Sequence, residues 1–271
     1  MIRLAASDID GTLVREGSHV IDPSYHGLIR AMRKKGIEFC VCSGRQFASI
    51  MQLFSPVADD VYFIAENGTI LRTRDKILHT WTVDETMVLP LLEDIRSIEG
   101  AHTLFCTPDR TYLEAGEDSY VYHFLKDEYR YEIQNVPDLA ALPRNNISKI
   151  TIYHDDAEAA CSGLVSSHWG HDLKMASSGK TWIDICSKEA GKGTALSLLQ
   201  KHLGVSKEET VYFGDNMNDL PAFEKAGIAG TVVDARPEVR EKADLIAPSF
   251  KELGVLKALQ QILDNQTGSA L

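Results

Sequence analysis

The chain has 271 residues and a formal net charge of −11, from 39 acidic against 28 basic residues; 44% are hydrophobic and 25% charged. At roughly 100–200 residues per domain, that is one large domain or two moderate ones, with enough apolar material for a core that needs no disulfide or metal staple. The acidic balance argues against a nucleic-acid partner, since the one basic run, Arg30-Ala31-Met32-Arg33-Lys34-Lys35, suits the C-terminal end of a helix.

No apolar run is long enough to span a bilayer, and Asp8 and Asp10 interrupt the N-terminus early, so neither a membrane partner nor a signal peptide is expected. The five cysteines are odd in number and show no CxxC or Cys/His ligand spacing, which suits a reducing, cytoplasmic location. Cys40 and Cys42 alternate along one strand, so they are expected to pack on one face rather than bridge.

In chain order, Ile2–Ser7 reads as a buried strand. Asp22-Pro23 reads as a helix cap and first-turn proline, followed by a stripe of Leu28, Ile29 and Met32 that Gly36 stops. Ile37–Cys42 is a second strand, Gln46–Phe54 a second helix and Val61–Ala65 a third strand. From Trp81 to Cys186 the style changes. Ala101–Cys106 and Arg110–Ala115 read as a hairpin, Ser148–His154 as a strand and Asp156–Ser167 as a helix. Leu173–Ser177 and Thr181–Cys186 pair across Ser178-Gly179-Lys180. Helices are expected on one side of this sheet.

Beyond Lys188 the alternation returns. Ala195, Leu196, Leu199 and Leu203 form a helical stripe, Thr210–Phe213 a strand, Asp219–Lys225 a helix and Ile228–Val233 a strand. Pro237–Ala243 is a helix, Leu245–Ala247 a strand and Leu253–Leu263 a last helix, with Asn265–Leu271 frayed. The pattern predicts an α/β fold: a doubly wound, parallel-sheet core from 1–80 and 187–271, with an inserted α+β domain at 81–186.

Four motifs fall at strand ends. Asp8-Ile9-Asp10-Gly11-Thr12-Leu13 delivers two carboxylates directly after an apolar strand, where mutual repulsion calls for a cation; an acidic turn is the alternative. Ser43-Gly44-Arg45 opens a helix with a hydroxyl and backbone N–H groups, as an anion site does and as a plain serine cap also does. In Gly191-Lys192-Gly193-Thr194 a lysine sits at a helix start, against the dipole, which an anion partner would explain; an exposed lysine is the alternative. Gly214-Asp215-Asn216-Met217-Asn218-Asp219 gathers hard oxygen ligands that suit Mg²⁺ better than Zn²⁺, or forms an Asx-rich turn.

Taken together in this order, DIDGTL, SGR, a long insert, GKGTAL and GDNMND resemble the haloacid-dehalogenase superfamily of aspartyl phosphatases, and within it the Cof-type sugar phosphatases with a large cap. The resemblance spans nearly the whole chain. It implies a Rossmann-like core and a Mg²⁺-dependent phosphatase acting on a small phosphorylated metabolite.

It also implies roles for the matching positions. Asp8 would be the nucleophile and Asp10 the acid–base. Ser43, Gly44, Lys192 and Asn218 would hold the phosphoryl oxygens. The metal would take oxygen from Asp8, the Asp10 main chain and Asp215, with Asp219 in support directly or through another group. Arg45 would order its loop, and Asn67-Gly68 matches a position near the site, where an Asn-Gly turn needs no further role. Leu220-Pro221-Ala222-Phe223 and Gly230-Thr231-Val232-Val233-Asp234 depart from the usual family pattern without removing a catalytic group. A phosphomutase of the same superfamily and a non-catalytic phosphometabolite-binding protein are the alternatives. The resemblance further implies that the insert closes over the site as a specificity cap.

Overall fold

The computed structural model describes residues 1–116, 119–128, 132–178 and 180–268. Its strands begin with β1 (Leu4–Ser7), β2 (Glu38–Cys42), β3 (Val61–Ala65), β4 (Ile70–Arg72) and β5 (Ile77–Thr80). They continue with β6 (His102–Cys106), β7 (Thr111–Leu113), β8 (Ile133–Asn135), β9 (Lys149–Tyr153), β10 (Leu173–Ser178) and β11 (Trp182–Ser187). Last come β12 (Thr210–Phe213), β13 (Ile228–Val232) and β14 (Leu245–Ala247). The chain divides into two compact units, Met1–Leu78 with Gly191–Leu271, and His79–Ala190.

The first unit carries an eight-stranded sheet in the order β14-β13-β12-β1-β2-β3-β4-β5. From β14 through β3 every neighbour is parallel, and β4 runs antiparallel to β3. All four residues of β1 and of β12 are buried, as expected of central strands covered on both faces. The helix Ser24–Lys34 buries Tyr25, Leu28, Ile29 and Met32, which include the expected stripe; its cap position is Pro23 rather than Asp22, whose Oδ1 accepts from the Ser24 N–H at 2.9 Å. Cys40 and Cys42 are unbridged and buried, with Sγ atoms 3.8 Å apart.

Three further expectations about element ends need correction. The last helix runs Gly254–Gly268, so 265–268 are helical rather than frayed, and the rest of that expected segment, 269–271, lies outside the described residues; the Gln266 side chain donates to the Ile2 carbonyl at 3.2 Å and accepts from the Ile2 N–H, tying this helix to the start of the chain. The helix expected over Asp219–Lys225 is α-helical at Leu220–Phe223, preceded by a 3₁₀ turn, Met217–Asp219. The helix starting at Pro237 ends at Arg240.

The second unit has a six-stranded sheet, β10-β11-β9-β6-β7-β8, antiparallel except between β7 and β8. Of the expected turn between β10 and β11, Gly179 lies outside the described residues. Helices pack on both faces rather than one. Phe105, Ile150, Ile152, Ile183 and Ile185 pack with Val88, Leu91, Leu92 and Ile95 of the helix Glu85–Arg96 and with Val165 and Trp169. Leu104 and Leu113 alternate to the opposite face and meet Val121 and Leu125. The helix expected over 156–167 is α-helical only at Ala157–Cys161 and Ser167–Trp169, with a π-helical stretch between. Among the described residues, no helix is long and apolar enough to cross a membrane.

Candidate active site

Because β1, β2, β3 and β12 are mutually parallel neighbours in the sheet, their C-terminal ends gather on one edge, and Asp8, Ser43, Glu66 and Gly214 are the residues that follow them. After β1 the chain turns tightly: the Asp8 N–H donates to the Phe213 carbonyl at 2.8 Å, and the Leu13 N–H to the Ile9 carbonyl at 2.8 Å. Gly11 adopts φ +80°, and a Cβ there would lie 2.3 Å from Asp215 Oδ2. The left-handed backbone and the close approach of a carboxylate both require glycine.

Lys192, at the first turn of the helix Lys192–Leu203, is 2% exposed. Its Nζ donates to Asp8 Oδ1 and to Asp219 Oδ1, both at 2.6 Å. The lysine therefore meets anions, as its unfavourable place on the helix dipole suggested. Burial alone would lower its proton affinity, but Asp219 and Asp8 override that and raise it. Asp219 is fully buried and uses both oxygens. Oδ1 also accepts from Tyr212 Oη at 2.7 Å, and Oδ2 accepts from the Asp215 and Asn216 N–H groups at 3.1 Å each. Burial, together with the Asp219 carboxylate, pushes the Tyr212 hydroxyl up, so it stays a neutral donor.

Ligand oxygens of Asp8, Asp215 and Asp219 lie within 4.8 Å of one another. Burial pushes Asp8 well up, against the pull of Lys192 and with the push of Asp219 and Asp215. Burial also raises Asp215, although Thr12 Oγ1 donates to its Oδ1 at 2.7 Å. Three carboxylates share one ammonium, so the cluster is short of positive charge.

Asp10 stands apart from this cluster. Arg45 grips it through two hydrogen bonds, Nε to Oδ2 at 2.7 Å and Nη2 to Oδ1 at 2.5 Å, and the Gly17 N–H donates to Oδ1 at 2.9 Å. Arg45 also donates to the Ser18 carbonyl at 2.8 Å, which ties the SGR segment to the loop after β1. Buried Ser43 accepts the Arg45 N–H on its Oγ at 3.1 Å. Gly44 lies against Asn67, whose Oδ1 would be 3.0 Å from a Cβ there. Exposed Asn218 donates from Nδ2 to Asn67 Oδ1 at 2.9 Å.

The structure thus brings Asp8, Asp215, Asp219 and Lys192 into one cluster, links Ser43 and Gly44 to Asn218 through Asn67, and turns the Asp10 carboxylate toward Arg45. Two contributors, Thr12 and Tyr212, were not singled out from sequence. Thr12 has a signal in hindsight, because it lies inside the DIDGT motif. Tyr212, inside a wholly buried strand, has none. Asn67, expected near the site as an Asn-Gly turn with no further role, lies against Gly44 and accepts from Asn218.

A family profile described as haloacid dehalogenase-like hydrolase matches residues 5–259. Among curated relatives, phosphatase YwpJ of Bacillus subtilis is 24% identical, covering 97% of this chain and all of the relative. 5-Amino-6-(5-phospho-D-ribitylamino)uracil phosphatase YbjI of Escherichia coli is 26% identical over 98% of this chain and 97% of its own length. A solved structure from Eubacterium rectale is 38% identical, covers 96% of this chain and 99% of that one, and superposes with a TM-score of 0.92. A Thermotoga maritima structure, 23% identical and covering 96% of this chain and 97% of that one, shares the fold with a TM-score of 0.85.

Proposed function

The chain belongs to the haloacid dehalogenase-like hydrolase family and is a phosphatase of its Cof type, and from that premise we propose that it hydrolyses small phosphate monoesters, sugar phosphates foremost, with Mg²⁺ and through an aspartyl phosphate on Asp8. The observation that carries this reading is the buried Asp8 carboxylate, paired with Lys192 at 2.6 Å and crowded by two further acids.

The donor set suits Mg²⁺: hard carboxylate oxygens, short of positive charge, at a strand end. Asp8, Asp215 and the Asp10 main chain would hold the ion. Asp219, with both oxygens already accepting, instead fixes Lys192 and the 215–216 backbone. When bound, the ion screens the repulsion between carboxylate and phosphate and stabilises charge on the transferring group.

Ser43, the Gly44 N–H, Lys192 and Asn218 hold the phosphoryl oxygens. An Asp8 carboxylate oxygen bonds to phosphorus as the ester P–O bond breaks, and Asp10 gives its proton to the leaving oxygen, an aid typically worth ~10²–10⁴-fold. Asp10 then takes a proton from the water that attacks phosphorus, the P–O bond to Asp8 breaks, and phosphate leaves. Arg45 offers only donors, so its grip matches ionised Asp10, the form that serves the second step. The first step needs the acid form, for which Arg45 must yield one oxygen. Residues 1–80 and 187–271 form the catalytic core on this reading, and 81–186 a cap that selects the leaving group.

The test is phosphate release from a panel of phosphomonoesters, with and without chelator. Turnover should vanish in EDTA and return with Mg²⁺, sugar phosphates should lead the panel, and acid-quenched enzyme should carry labelled phosphate on Asp8. Full turnover in metal-free buffer refutes the metal requirement. Isomerised sugar phosphate without phosphate release would make the enzyme a mutase.

A further inference from the structure

After β3 the chain passes through three consecutive residues with left-handed backbone: Glu66 at φ +51°, Asn67 at φ +57° and Gly68 at φ +94°. A turn so strained persists only where its surroundings over-determine it. Here they do. The Glu66 N–H donates to the Arg45 carbonyl and the Asn67 N–H to the Ser43 carbonyl, each at 3.0 Å. Gly68 presses on the start of the Lys192 helix so closely that a Cβ would lie 2.2 Å from the Gly191 carbonyl carbon. Asn67 Oδ1 accepts from Asn218 Nδ2 at 2.9 Å. One short turn therefore touches the segments that carry Ser43, Gly44, Lys192 and Asn218.

We infer that Asn67 is a positioning residue for the phosphoryl group, acting through Asn218. An amide presents donors at its nitrogen and an acceptor at its oxygen, so an exposed Asn218 side chain could offer an anion either end. A fixed acceptor at Asn67 Oδ1 holds the nitrogen end in place. One N–H of Asn218 Nδ2 is spent on Asn67, and the second is left for a phosphoryl oxygen. The donor is then oriented before substrate arrives, and the cost of ordering it does not fall on binding. The inference rests on the proposed role of Asn218 and adds the residue that orients it. A tolerant left-handed Asn-Gly turn explains the backbone of Asn67 but not the direction of its side chain.

The experiment is a double-mutant cycle read by the inhibition constant of inorganic phosphate, by kcat and KM, and by thermal midpoint. Asn67→Gly suits the left-handed backbone and keeps the N–H bond to Ser43 while removing the acceptor. It should raise KM and the phosphate inhibition constant about tenfold, the worth of one hydrogen bond of about 1.4 kcal/mol, with a smaller change in kcat. Asn218→Ala should do the same, and the double variant should be no worse than Asn218→Ala alone. Should Asn67→Gly fail to fold, Asn67→His, which also tolerates the left-handed backbone and removes the amide acceptor, serves with the same expectation. An unchanged inhibition constant in the Asn67 variant overturns the inference, as do losses that multiply in the double variant. If Asn218→Ala itself leaves phosphate affinity unchanged, the role of Asn218 in phosphate binding is wrong, and the inference falls with it.

Discussion

The two units of this chain bury charge in different places. In the first, buried Asp8, Glu66, Lys192 and Asp219 follow strands or open a helix on the edge where parallel strands end, and Arg72, within β4, is the buried charge on its antiparallel strand. In the second, buried Lys149 and Thr151 lie within β9 and meet Asp184 of the adjacent β11, at 3.2 and 2.7 Å. Topology explains the contrast. Parallel neighbours end on the same edge, so their loops converge and can pool acids and a lysine. Antiparallel neighbours end on opposite edges, and polar side chains find partners across the strands instead. On the proposed function, the cluster around Asp8 at the convergent edge serves chemistry, and a charge buried along an antiparallel ladder serves the sheet.

The sharpest test of that division is Asp8→Asn, which should lower phosphate release by more than about 10³-fold while leaving the fold intact, because the amide cannot form the acyl phosphate. Retained activity above about 1% would mean that water attacks directly, and the first half of the contrast would lose its main support. Next in size is Asp219→Asn. The new amide nitrogen would face either the Asp215 and Asn216 N–H donors or Lys192 and Tyr212, and Lys192 would keep Asp8 as its one carboxylate. Breaking a buried pair typically costs 3–5 kcal/mol; Lys192 retains Asp8, so about 3 kcal/mol is expected. The loss should be seen by denaturant unfolding in EDTA. A variant of unchanged stability whose only defect is a raised Mg²⁺ requirement would make Asp219 a metal ligand instead.

Legibility follows the same line. Val61–Ala65, Thr210–Phe213 and Leu245–Ala247 match the strands read from the sequence residue for residue, because each is a short apolar run between turn signals. The helix Glu85–Arg96 was not read, although Val88, Leu91, Leu92 and Ile95 form its buried stripe; Pro90 inside it reads as a breaker. The π-helical stretch at Ser162–Ser166 has no periodicity of its own to betray it. In the site, Lys192 advertised an anion partner by sitting against the helix dipole. That Asp219 spends both oxygens on four donors, and that Asp10 faces Arg45, depend on distances between loops far apart in sequence. Such distances leave no trace in spacing.

The smallest expected effect probes the other half of the contrast. Lys149 and Asp184 have side chains 7% and 17% exposed, so each would be costly to leave unpaired. Lys149→Met should leave the Asp184 carboxylate with Thr151 Oγ1 and without its cation, destabilising by about 2 kcal/mol. Adding Asp184→Leu should recover most of that loss, because a buried ion pair replaced by apolar groups of similar volume is often neutral. Both variants should hydrolyse a small activated ester such as acetyl phosphate at the parent rate, since neither residue belongs to the cluster around Asp8. Unfolding midpoints of the single and double variants measure the first expectation, and phosphate release measures the second. If the double variant stays as unstable as the single one, the pair is not exchangeable for apolar packing. If either variant loses turnover of acetyl phosphate while folded, a charge on the antiparallel ladder takes part in the chemistry, and the separation of the two kinds of buried charge breaks down.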